Sequence, residues 1–380
     1  MSNRPLTGFQ RAKPADRPSG LGWLPFIALL GLAGCVTTPT EPTAADNPPF
    51  LAPIVSELPA GGAPLVDGRA RFREVFCAAL AADPRASAGR SCDRWLWRLS
   101  DEPSLPEAPG ASWPPADPSV DVVLVPGAFG ECYGNEARPF ADGAKLLAER
   151  GYRVHRLVVA GRSGTEANAK QIAAALADVD FTPGRRVVLI GFSKGTNDIL
   201  RFLVDFPDEA RRIDAVISVG SPILGTPTAD LAAGAYDALL GKIPLDACAP
   251  GDGQVLESLR TGTRERWMAA NPLPTAIRYY SLAGFAGRER MASLLVPAWH
   301  YLNWFDPRND GQVIASKAVI PGATLLGYAN ADHWGLAMHN ERTSPHLVKR
   351  RDTVPFPVEV LLSALVAFVE QDLSESAAVR

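Results

Sequence analysis

Beyond residue 120, short aliphatic and β-branched runs alternate with longer stretches whose apolar positions recur every three or four residues. The runs are DVVLV (121–125), YRVHRLVV (152–159), RVVLI (186–190), DAVISV (214–219), IRYYSLAG (277–284) and ATLLGY (323–328), and each predicts a strand. Helical spacing occupies 139–150, 166–177 and 194–206 between the first four, and returns at 358–369 with Val360, Leu361, Leu365 and Phe368 on one face. Strand and helix in alternation predict an α/β fold, a mostly parallel sheet covered by helices on both faces. The unbroken apolar character of VVLV and VVLI suits strands buried on both sides.

Outside this rhythm the pattern changes. A helix is expected around Phe72, Val75, Phe76, Ala79 and Leu80, and a second short one from about Ser91. The proline-rich DEPSLPEAPGASWPPADP (101–118) then reads as a linker, so 65–118 is expected to be a small helical extension and 119–375 the main domain. Between 229 and 274 small residues break the alternation and suggest an insertion over the sheet. The final SESAAVR is expected to fray.

The first 34 residues read as an address. Arg4, Arg11, Lys13 and Arg17 stand against Asp16 and precede LGWLPFIALLGLAG (21–34), 14 residues where a membrane span takes about 20. Leu32, Ala33, Gly34 and Cys35 resemble the bacterial lipobox, which implies an acylated Cys35 as the new first residue. Val36 in place of aspartate implies the outer membrane, and the proline-rich 35–64 is expected to be a tether. Of the four remaining cysteines, Cys77 is expected to pair with Cys92, while Cys132 and Cys248 complete an even set suited to an oxidising compartment.

Composition narrows the classes. Of 380 residues, 47% are hydrophobic and 21% charged, which supports a buried core and excludes a disordered chain. A net charge of −3 without blocks of one sign offers no grip for a phosphate backbone, so no nucleic-acid partner is expected. No CxxC pair suggests zinc, and neither metal nor cofactor is expected.

The chemistry centres on Gly191, Phe192, Ser193, Lys194 and Gly195, a GxSxG between a strand and a helix. Two glycines permit a sharp turn that presents the Ser193 hydroxyl above the sheet. Here the chain resembles the α/β-hydrolase family, and more narrowly bacterial triacylglycerol lipases, over 121–339. The resemblance lies in VLVPGAFGE at the oxyanion loop, GFSKG, GSPILGTPTAD from Gly220, and NDG at 309–311. It implies an α/β-hydrolase fold, with 229–274 as a cap.

That fold supplies its triad in the order serine, acid, histidine. His333, in a loop after ATLLGY, is the expected base. His155 and His300 precede the candidate acid, His346 sits in a charged stretch, and His339 is a weaker competitor. Asp310 is the expected acid, with Asp306 and Asp332 as rivals. The expected oxyanion donors are the backbone N–H groups of Lys194 and Ala128, with Phe129 in reserve. Pro126 stands where those lipases usually carry histidine. The Lys194 side chain has three readings, an attraction for an anionic substrate, a pairing with a nearby acid such as Asp198, or a surface lysine at the helix start. The function expected is a membrane-anchored serine hydrolase of carboxylic esters or acyl lipids; the rivals are a non-catalytic envelope protein on a hydrolase scaffold and an acyltransferase.

Overall fold

The computed structural model describes residues 48–58, 62–104, 118–132, 138–239, 250–339 and 348–378. The signal segment, Cys35, Cys248, His346 and the greater part of the 101–118 linker lie outside the described residues.

Eight strands form one sheet: β1 (Val66–Asp67), β2 (Leu96–Trp97), β3 (Val120–Val125), β4 (Arg153–Arg156), β5 (Arg186–Phe192), β6 (Ala215–Val219), β7 (Arg278–Gly284) and β8 (Thr324–Ala329). The order is β1-β8-β7-β6-β5-β3-β4, every neighbouring pair parallel, while β2 pairs antiparallel with β8. Chain order reverses between β3 and β5. In open parallel sheets ligands bind beyond the carboxyl ends of the strands at such a switch point.

Both faces of the sheet are covered, as the fold expected from the sequence requires. Val120, Val122, Leu124, Val188 and Ile190 face one core with α1 (Arg69–Ala82), α2 (Ala141–Glu149) and α8 (Val358–Ala378). Val123, Val125, Val187 and Leu189 face the other, with α3 (Thr165–Ala177) and α4 (Lys194–Asp205). Adjacent side chains of one strand thus enter opposite cores, which explains why VVLV and VVLI tolerate no polar alternation. Beyond β6 come α5 (Pro227–Leu239) and α6 (Thr261–Ala270), and beyond β7 comes α7 (Val296–Leu302), which packs on α5.

Three expectations are corrected. The stretch read as a tether through residue 64 is already docked at Pro48: Phe50 is buried with ring contacts to Trp97 at 6.0 Å and Phe285 at 5.9 Å. The region read as a helical extension joins the main body, since β1 and β2 both pair with β8 and Phe72, Val75 and Phe76 share the core of α8. The last helix continues to Ala378, held by Arg71 to Asp372 and Glu375 at 3.1 and 2.9 Å. The Cys77–Cys92 disulfide is present, closing α1 onto the turn before β2, and Cys132 is disulfide-bonded as well.

Candidate active site

Ser193 joins β5 to α4 with φ 53° and ψ −130°. A non-glycine residue held there stores about 1–3 kcal/mol of strain. The flanking glycines permit the turn: a Cβ on Gly191 would lie 2.5 Å from Thr196 N, and one on Gly195 would lie 2.5 Å from Pro126 O. No larger residue fits either place.

His333 comes from the loop after β8 and Asp310 from the loop after β7. His333 Nε2 lies 2.9 Å from Ser193 Oγ, and His333 Nδ1 lies 2.8 Å from Asp310 Oδ2. Residues 117 and 140 positions apart from Ser193 in sequence thus meet at the carboxyl edge of the sheet, next to the switch point. The other Asp310 oxygen accepts Gln312 N–H at 2.9 Å and Val313 N–H at 2.7 Å, which fixes the carboxylate in its own turn. The Asp310 carbonyl also accepts His333 N–H at 2.7 Å, so the two loops are joined through main chain and side chain. Asp310 is 1% exposed and His333 5%. A buried carboxylate on Nδ1 assigns that nitrogen the proton and leaves Nε2 an acceptor facing the hydroxyl.

The rivals are engaged elsewhere. Asp306 pairs with Arg308 at 3.0 Å. His339 Nε2 meets Glu359 at 3.1 Å, His155 stands on β4 against Phe181, and His300 packs on Trp299. Asp332 turns away from the neighbouring imidazole: its carboxylate takes Ala292 N–H and Gly335 N–H at 2.7 Å each and both arms of Arg350 at 2.8 Å. It anchors the loop that presents His333. Sequence reading missed Arg350, whose distance along the chain hides it.

The loop after β3 lies against the serine. A Cβ on Gly127 would be 2.8 Å from Ser193 Cβ. Phe129 N–H is already spent on Gly161 O at 2.9 Å, and Glu131 Oε2 accepts Gly161 N–H at 2.6 Å, so this loop is tied to the one after β4. Phe129 is thereby excluded as an oxyanion donor, and Ala128 remains next to Gly127. A cavity of about 40 Å³ behind this loop is lined by Pro126, Glu131, Arg138, Phe140 and Arg156. None of Ser193, His333 and Asp310 borders it.

The Lys194 side chain runs inward. Fully buried, it meets both Asp198 oxygens at 2.6 and 2.8 Å, and Asn168 donates to the same carboxylate at 2.8 Å. Burial pulls the ammonium below its usual range against the attraction of Asp198, and pushes the Asp198 carboxyl up against the attraction of Lys194. The pairing reading of Lys194 holds; the anionic-substrate reading falls because the ammonium does not reach the site, and the surface reading because the side chain is fully buried. Among the described residues one group of metal-ligand type occurs, Asp142, His339 and Glu359, with ligand atoms within 4.8 Å of one another. None of Ser193, His333 and Asp310 belongs to it.

No protein-family model and no curated protein matches the chain. Among solved structures, a metagenomic carboxyl esterase is 37% identical with a TM-score of 0.77, covering 85% of this chain and 97% of its own. The mature form of the Bacillus licheniformis lipase BlEst2 is 25% identical with a TM-score of 0.47, covering 62% of this chain and 95% of its own.

Proposed function

The chain belongs to the α/β-hydrolase-fold carboxyl esterases, a serine hydrolase family, and on that premise we propose that Ser193, His333 and Asp310 are its catalytic triad. The observation that carries this is the unbroken relay from Ser193 Oγ to His333 Nε2 at 2.9 Å and from His333 Nδ1 to Asp310 at 2.8 Å.

His333 Nε2 takes the hydroxyl proton as Ser193 Oγ attacks the ester carbonyl carbon. Asp310 holds the ring in the tautomer that can accept and stabilises the imidazolium that forms. The tetrahedral oxyanion receives the N–H groups of Lys194, at the start of α4, and of Ala128; one such donor typically supplies about 3 kcal/mol. The imidazolium gives its proton to the leaving alkoxide, releasing the alcohol and leaving an acyl-Ser193. Water, deprotonated by His333, then attacks the acyl carbon and restores Ser193 with release of the carboxylic acid. Labelling by a fluorophosphonate probe is expected for the native protein and not for Ser193→Ala; equal labelling refutes the assignment.

The finer reading is an envelope lipoprotein acting on acyl lipids, held at the outer membrane through acylated Cys35. The lipobox-like LAGC supports it, as does the Cys77–Cys92 disulfide, which suits an oxidising compartment. Labelled palmitate is expected to enter the native chain and not Cys35→Ala. Among p-nitrophenyl esters, preference for long acyl chains is expected; preference confined to acetyl and butyryl esters would remove the acyl-lipid substrate.

A further inference from the structure

Among the described residues seven large hydrophobic side chains are exposed, and their placement is uneven. Trp304 is 68% exposed and Phe305 58%, in the turn after α7. Tyr301 of α7 stands 6.3 Å from the Trp304 ring and 5.4 Å from the Phe305 ring. Leu231, also exposed, is on α5, against which α7 packs. Leu51 and Val55 project from the docked N-terminal segment, and Arg308, three residues past Phe305, donates to the carbonyls of Ala52 and Pro53 at 3.1 and 3.0 Å. The stretch 301–308 leads straight into Asp310, so these side chains border the loop that supplies the triad acid.

We propose that this face, carrying Leu51, Val55, Leu231, Trp304 and Phe305, rests on a phospholipid bilayer and brings the Ser193 site to the lipid surface. The inference rests on the ester-hydrolase and anchored-lipoprotein readings above. Thirteen residues, 35–47, precede Pro48, and fully extended they span at most about 45 Å. A lipid on Cys35 therefore keeps the bilayer within about 45 Å of Pro48, and the docked segment that follows is tied through its Ala52 and Pro53 carbonyls to Arg308, three residues past Phe305. The cations around the face are each paired within it: Arg308 with Asp306, Arg260 with Asp230 and Glu257, Lys317 with Glu57 and Glu265. Every cation of this rim is neutralised in place, and tryptophan and tyrosine favour the headgroup level of a bilayer. The ester this geometry favours is one held in the bilayer, with its acyl chain reaching Ser193 from the membrane.

The test uses the full-length acylated protein in phosphatidylcholine vesicles. In Trp304→Ser/Phe305→Ser, hydrolysis of an ester dissolved in the vesicles is expected to fall about tenfold or more, and that of water-soluble p-nitrophenyl butyrate to change less than about twofold. Equal rates in variant and native protein on the vesicle ester overturn the proposal. A chain beginning at Val36 lacks both the apolar leader and the acyl group: its flotation with vesicles is expected to fall about tenfold when the two aromatics are replaced, and an unchanged flotation overturns the proposal. Aromatic dependence in a native chain that takes up no palmitate supports the face and removes the anchor alone. Loss of p-nitrophenyl butyrate hydrolysis in native protein would instead strike the Ser193 assignment. A dimer that these substitutions dissolve, with flotation unaltered, assigns the face to a second copy and overturns the bilayer.

Discussion

Two residues carry opposite kinds of stress at the elbow. Ser193 is held at φ 53° by its neighbours, a conformation glycine adopts without strain. Ser193→Gly is therefore expected to exceed Ser193→Ala in unfolding free energy by about 1 kcal/mol in urea, both being inactive. Lys194 is stressed electrostatically. Its ammonium and Asp198 were both taken from water, and each is tolerable because of the other. Lys194→Met strands the Asp198 carboxylate and is expected to lower stability by about 3–5 kcal/mol, while Lys194→Met/Asp198→Leu recovers most of the loss by urea unfolding. The serine was legible in the sequence because a strand, two glycines and a helix surround it. The direction of the Lys194 side chain was not, since the four-residue spacing to Asp198 fits an exposed helix pair equally well. Only the packing of α3 over α4, with Asn168 reaching Asp198, closes that wall.

Loops are the elements on which the site is assembled, and each is fixed by contacts remote in sequence. The His333 loop hangs on Asp332, whose carboxylate faces away from the imidazole and into Arg350. Arg350→Gln leaves that buried carboxylate without its cation. The expected result is a loss of about 3 kcal/mol in stability, with kcat falling more than KM changes, because His333 loses its placement and not its chemistry; an unaltered kcat would deny the loop this role. The long, strongly periodic strands and helices around the site could be read directly. The two-residue β1 and β2 could not, because two positions establish no alternation. The end of α8 was hidden for a different reason: SESAA has little apolar periodicity, and its helix is held by Arg71 pairing with Asp372 and Glu375. The Cys77–Cys92 bond spans 15 residues, and its removal as Cys77→Ala/Cys92→Ala is expected to cost about 3 kcal/mol by urea unfolding.

At the scale of the whole molecule, proline content misled the reading of the N-terminal segment. NPPFLAP has the composition of a linker, yet Phe50 enters a cluster where Trp97 and Phe285 stack with centroids 5.0 Å apart. The other ties are Ile54 in the same cluster, Ser100 N–H to Leu51 O at 2.9 Å, Glu57 N–H to Ser316 O at 2.8 Å, the Glu57 carboxylate to Ser316 Oγ and to Lys317, and Arg308 to two carbonyls. Among the described residues none of 48–58 belongs to the sheet, so this segment can open while the eight strands stay paired. Phe50→Ala deletes its main apolar contact, which for a buried phenylalanine is worth about 3–5 kcal/mol. The expected consequence is local: protease cleavage within 48–58 accelerates by about two orders of magnitude, and the body left behind keeps its hydrolysis of soluble esters. Cleavage rates of mature protein under native conditions, followed by mass spectrometry, decide it. Acceleration of cuts throughout the sheet instead would make the segment an inseparable part of one cooperative unit, because its opening would then require that of the strands.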